Sequence, residues 1–273
     1  MKTMNRIFPF VVGGLMMIAS DAQAQDRLYK NEFPLGDVTL LDGPLKHAQD
    51  LNVEVLLEYD MDRLLQPFLK QAGLEPKAEA FPNWEGLDGH IGGHYVSALA
   101  IHYAATGNKE CLDRLNYMLS ELKRCQDANG DGYLGGVPNS AELWPEVKSG
   151  DLRRMHSMWV PWYNLHKIYA GLRDAYMYAG SELAKDMFLK LCDWGLGIFG
   201  GFSDELFENM LSQEHGGLNE MYADAYAITG ERKYLEAARK LTHHEIFDSM
   251  LAGVDNLDNR HANTQVPKIV GSA

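Results

Sequence analysis

Three times in this chain an apolar stretch of helical spacing ends in Tyr-x-x-x-Gly: at Tyr103 to Gly107, at Tyr176 to Gly180 and at Tyr226 to Gly230. Each glycine can take the left-handed conformation that ends a helix. A few polar residues later a new amphipathic run begins, over 109–125, 182–196 and 232–247. The unit is therefore helix, tight turn, helix. One hairpin cannot bury its apolar face alone, so the hairpins must stack, as an open solenoid or a closed toroid. The alternation of strand and helix that a parallel sheet requires is absent. The one strand signal is Asp-Val-Thr-Leu-Leu at 37–41, ahead of an Asp-Gly-Pro turn. The expected fold is all-α with a short N-terminal extended segment.

The two ends of each hairpin differ in composition. The glycine turns are short. The loops that enter the first helices are long and mix histidine, aromatic rings, amides or carboxylates, and glycine: Asn83 to His94, Met158 to His166, Gln213 to Glu220 and Asn259 to Gln265. In a closed toroid these loops meet on one rim. Trp and Tyr faces stack on the C–H face of a sugar ring, while amides and imidazoles pair with its hydroxyls. The candidate substrate-binding residues are His94, Trp159, Trp162, His166, His215, Asn219, His261 and Gln265. Of the two carboxylates in the third loop, Glu214 and Glu220, only one is expected to serve the pocket, because residues six apart on a helix face nearly opposite ways. Glu220 is the candidate catalytic residue, and its alternative role is to complement the helix dipole.

Residues 1–24 read as a signal peptide. Lys2 and Arg6 precede an apolar run from Ile7 to Ala19, and Ala-Gln-Ala at 22–24 supplies the cleavage site. The run is shorter than the roughly 20 apolar residues that span a bilayer. Export to the periplasm or beyond the cell follows, with 25–273 as the mature domain. The formal charge of −13 becomes −14 without Lys2, Arg6 and Asp21. That balance argues against nucleic acid or an anionic membrane as partner and is compatible with a neutral carbohydrate. Cys111, Cys125 and Cys192 match neither a zinc site nor a disulfide framework. On one unbroken helix Cys111 and Cys125 would lie about 21 Å apart, so buried thiols and no metal ligands are expected. Asp127, Asn129, Asp131 and Gly132 match the front of a calcium loop, but Pro138 stands where the bidentate Glu belongs. A polar turn is the favoured reading there. His243 and His244 read as a surface pair.

Four ordered segments resemble the β-L-arabinofuranosidase-type glycoside hydrolases of families 127 and 146. They are Gly-His-Ile-Gly-Gly-His-Tyr at 89–95, Trp-Tyr-Asn-Leu-His-Lys at 162–167, His-Gly-Gly-Leu-Asn-Glu at 215–220 and His-Ala-Asn-Thr-Gln-Val-Pro-Lys at 261–268. The resemblance runs from about Asp37 to Ala273. It implies an (α/α)6 barrel and action on L-arabinofuranosyl residues of plant glycans. It also implies sugar contacts from His166, His215 and His261. The family's catalytic centre is a cysteine nucleophile held at zinc by further Cys and Glu ligands, with a Glu acid/base, in motifs downstream of the His261 segment. The three cysteines here match none of those contexts. A partial barrel of about three and a half hairpins is therefore expected, an incomplete copy without the cutting apparatus. Two other readings stay open: a non-catalytic carbohydrate-binding or scaffold module, and a barrel enzyme using Glu220 as acid.

Overall fold

The computed structural model describes residues 33–82 and 86–273. The signal-peptide segment, Asn83, Trp84 and Glu85 lie outside the described residues. The chain is helical throughout the described part, with thirteen α-helices and no strand. The expected strand is a correction. Leu35–Asp37 forms a 3-10 turn, and the residues after it have no partner strand to complete a ladder. Val38 and Leu41 consequently stay exposed.

Two helices precede the hairpins, α1 (Pro44–Glu58) and α2 (Met61–Gln71). The first hairpin pairs α3 (His90–Thr106) with α4 (Lys109–Asn129). Short helices α5 (Ser140–Lys148) and α6 (Arg153–Ser157) lead to the second, α7 (Pro161–Ala179) with α8 (Glu182–Phe199). Helix α9 (Asp204–Leu211) leads to the third, α10 (Leu218–Thr229) with α11 (Arg232–Lys240). Helices α12 (His244–Leu251) and α13 (Ala262–Ser272) follow.

The glycine turns are as the sequence dictates. Gly107, Gly180 and Gly230 sit at φ of +68°, +67° and +73°, and each N–H returns to the carbonyl of its own Tyr at 2.8, 3.0 and 2.7 Å. Asn108 and Ser181 then cap the returning helices with their side chains. The third returning run departs from expectation. It breaks after Lys240, because Leu241 and His243 turn inward. His243 is buried and meets Lys268 Nζ at 2.8 Å, so it is no surface residue; His244 is exposed.

The first helices of successive hairpins form the inner wall: α3 packs on α7, α7 on α10, and α10 on α13. The second helices lie outside them, with α4 against α8. The deepest crossing is between α3 and α7. Gly93 there faces the Lys167–Ile168 backbone, and Gly171 faces the Gly93 carbonyl. Below the rim an aromatic core fills the space between layers. Trp162 lies 4.8 Å from Trp144, 5.7 Å from Phe199 and 6.0 Å from Trp194 between ring centres.

At the rim the inner helices start without side-chain caps. Their first flanking residues are Gly89, Val160, Gly217 and His261. Val160 is at φ +43°, a left-handed conformation that costs a β-branched residue about 1–2 kcal/mol. That strain lies between Trp159 and Pro161, where the chain turns from rim to inner wall.

Candidate functional site

The rim loops are held together by amide side chains. Asn164 donates to the Asp88 carbonyl at 2.9 Å, joining the second entrance loop to the first. Gln213 donates to the Met155 and Met158 carbonyls at 3.1 and 2.9 Å. Asn263 donates to Glu214 at 2.9 Å and reaches Tyr163 Oη at 3.5 Å. All four loops therefore converge, and the convergence gathers His94, His166 and Glu220 with Tyr163, Lys167, Glu214 and Asn263.

His94, in the second turn of α3, is exposed yet walled by protein on its other sides. Burial, then the Lys167 charge and His90, push its imidazole down to about 4. Accessibility combined with desolvation marks a concave wall. His166, in the second turn of α7, is half-buried. Burial, then Lys167, Arg173, His94 and His215, hold it well below the usual histidine range. Its ring packs over Gly216 and Gly217, where any side chain would collide with it or crowd it. Trp159 is 52% exposed at the rim. His261 is exposed at the start of α13, and Gln265 is half-buried, accepting from Lys268 at 3.0 Å.

Three candidates are corrected by their placement. Trp162 is 1% exposed, and its faces are already covered by the aromatic core, so no sugar ring can stack on it. Asn219 is fully buried and ties α13 to α10 through the Lys268 carbonyl at 2.7 Å. His215 is 1% exposed, with Nδ1 at 3.0 Å from the Gln213 carbonyl and its ring edge-on to His243. It backs the wall and presents no edge to a ligand.

Glu220 stands in the first turn of α10 within a buried charge cluster. Arg173 donates to Glu220 at 2.8 Å and lies 3.2 Å from Asp174 and 3.3 Å from Asp224. Burial, opposed by Arg173 and reinforced by Glu220 and Asp174, pushes Asp224 up to about 7. Asp174 is also raised, chiefly by burial. Glu214 lies in the loop ahead of α10, so the helical argument that set it opposite Glu220 does not apply. Sequence reasoning missed Arg173 and Asp224, although Arg173 follows His166 by two helical turns and Asp224 follows Glu220 by one.

The buried histidines give the fold a pH dependence of fixed sign. His215 is pushed down to about 3 and His243 to about 4, both first by burial and then by the Lys268 charge. In the unfolded chain histidine takes its proton near pH 6.5. Between about 6.5 and 4 the unfolded state therefore binds more protons, and stability falls as pH falls. Asp224 and Asp174 act in the opposite direction over part of this range but are outnumbered by His166, His215 and His243. The urea midpoint should drop between pH 7 and pH 5, as the unfolding free energy falls by about 1.4 kcal/mol per pH unit for each net proton. A midpoint that rises on acidification would contradict this placement of the histidines.

The calcium-like segment is a turn. Asp131 accepts from the Tyr133 N–H at 2.9 Å, Asn129 donates to the Tyr133 carbonyl, and Asp127 pairs with Lys123. Among the described residues no group of three or more His, Cys, Asp or Glu is placed to share a metal ion. The cysteines are buried and unbridged, on α4 and α8. Burial pushes Cys125 up to about 12 and raises Cys111 and Cys192. Neutral, enclosed thiols do not fit a zinc-bound nucleophile.

The all-helical, barrel-type architecture accords with the family model that matches the chain. That model is the β-L-arabinofuranosidase, GH127 catalytic domain, matched over residues 37–273. The chain belongs to this family. A comparison with curated proteins gives no match. Membership makes this a glycoside hydrolase domain by descent, with carbohydrate as the ligand class and an all-helical, barrel-type architecture. No helix among the described residues is long and apolar enough to cross a membrane.

Proposed function

We propose that this GH127 chain acts on L-arabinofuranosyl residues of plant glycans, outside the cytoplasm, and that its described part supplies the sugar-holding wall. The observation that carries the reading is the convergence of His94, His166 and Glu220 on one rim, beside exposed Trp159. Neutral imidazoles donate and accept hydrogen bonds with hydroxyls, and the indole face suits the C–H face of a ring. Arg173 holds the Glu220 carboxylate at a fixed orientation from behind. Glu220 then accepts from a sugar hydroxyl or serves as the acid at the glycosidic oxygen.

A second reading is favoured by one specific feature, the enclosed neutral thiols. It makes the chain by itself a carbohydrate-binding module without hydrolytic turnover. The two are separated by one pair of measurements on the full chain. Methyl β-L-arabinofuranoside should bind, seen by calorimetry, and Glu220→Gln should weaken that binding by about tenfold, the worth of one charge-assisted hydrogen bond. Release of L-arabinose from a β-L-arabinofuranoside, lost in Glu220→Gln, establishes the first reading. Binding without release establishes the second. Absence of binding by the wild-type chain overturns both.

A further inference from the structure

Lys167 is the residue at this rim whose surroundings are least explained by packing. It is only 8% exposed. Its Nζ sits 3.8 Å from the Tyr163 ring centre and 3.3 Å from His166 Nδ1. Burial lowers its amine to about 8, with Glu214 opposing, so at pH 7 it is still chiefly an ammonium. An ammonium has three N–H groups and no lone pair. Whatever ring nitrogen it meets must accept.

A neutral imidazole carries one accepting nitrogen and one N–H. His166 is kept neutral by burial and by the cations around it. With Nδ1 accepting from Lys167, the proton has one remaining place, Nε2. That atom is buried and has no hydrogen-bond partner in the protein. It lies against the bare backbone of Gly217, over which the Glu220 carboxylate also closes: a Cβ on that glycine would stand 3.2 Å from His166 Nε2 and 3.4 Å from Glu220 Oε2. A buried N–H donor without a partner is unfavourable, and a ligand oxygen that reached it from the rim would supply the missing acceptor.

We propose that Lys167 is a positioning residue that locks His166 as the Nε2–H tautomer, so that His166 meets its ligand as an obligate donor toward a hydroxyl or ether oxygen above Gly217. The same oxygen, if a hydroxyl, donates its own hydrogen to Glu220. That the oxygen belongs to an arabinofuranoside rests on the function proposed above; the tautomer does not. The arrangement gives the wall a direction. A ligand with a hydrogen-bond acceptor at this point is taken, and one offering only a donor to His166 is refused.

The test is long-range proton–nitrogen NMR of the full chain labelled with 15N-histidine at pH 7, with the His166 signals assigned by their loss in His166→Gln. The wild type should show a pyrrole-like Nε2 and a pyridine-like Nδ1. Lys167→Met keeps the stem over Tyr163 and removes the donor, and should move His166 to a mixture of tautomers or to Nδ1–H. Lys167→Arg, again donor-only, should restore the wild-type pattern. An Nδ1–H tautomer in the wild type overturns the proposal, and needs no variant to be seen. So does an unchanged Nε2–H signal in Lys167→Met. With L-arabinose as probe, Lys167→Met should raise Kd by about tenfold. If L-arabinose binds neither protein while the tautomer is as stated, the functional reading fails and the role of Lys167 stands.

Discussion

Replacing Gly93 by alanine should destabilise the protein by about 3 kcal/mol, the upper part of the range for forcing an extra methyl into a packed interior. A Cβ at this position would sit 2.5 Å from the Lys167 carbonyl oxygen and 2.6 Å from the Ile168 nitrogen. Both are backbone atoms of the facing helix, so no rotamer change can make room. Gly171 approaches the Gly93 carbonyl in the same crossing, and a methyl there would stand 2.7 Å from it. Relief requires α3 and α7 to move apart, which also separates His94 from His166. For a domain of this size the loss corresponds to a fall in Tm of roughly 6–12 °C. Gly197→Ala is the control. Gly197 lies in α8 with open space around it, and alanine there should be neutral or better by about 0.5–1 kcal/mol. Equal melting temperatures for the two variants would show that the α3–α7 crossing is not as close as described.

Arg173→Leu should cost roughly 3–5 kcal/mol, because it leaves Asp174, Glu220 and Asp224 together in a buried place without their cation. The pH dependence identifies the cause. Without the guanidinium Asp174 and Asp224, already raised by burial, hold protons more tightly in the folded state, moving further above the unfolded value near 3.9. A carboxyl whose folded pKa is raised contributes stability at low pH that is lost as pH rises through the gap between the two values. The variant should therefore lose less stability than the wild type on going from pH 7 to pH 5, and adding Asp224→Asn should recover part of the loss. Urea titrations at the two pH values decide it. A deficit of the same size at both would mean that lost packing, rather than exposed charge repulsion, explains the variant.

Much of the architecture was legible because it is written locally. A Tyr-x-x-x-Gly unit encodes its own turn: the glycine supplies the positive φ and its N–H returns to the tyrosine carbonyl four residues back. The rim was legible for the same reason, since His94 stands 13 residues before its turn glycine and His166 stands 14 before its own. What local pattern does not carry is which side of a residue is covered. Trp162 and His166 are four apart on α7 and look equivalent in sequence, yet α7 is buried on almost every side. Only the packing of α5 and α8, through Trp144, Trp194 and Phe199, shows that the indole belongs to the core. His243 was hidden in a run that reads as one amphipathic helix. It turns inward because Lys268, 25 residues later, needs an acceptor. Arg173 and Asp224 were invisible because their partnership crosses helices.

The four inner helices begin without side-chain caps, whereas α4 and α8, which start at the opposite end of the hairpins, begin on Asn108 and Ser181. A good cap is worth about 1 kcal/mol. The rim therefore forgoes stability that the far end of the first two hairpins keeps, while α11 of the third also begins without a side-chain cap. A ligand settling on the rim would hold in place the entrance loops from which these uncapped helices begin, as well as fill the site. Saturation with such a ligand should act as a missing piece of secondary structure, tightening amide exchange in the first turns of α3, α7 and α10 ahead of the rest of the fold.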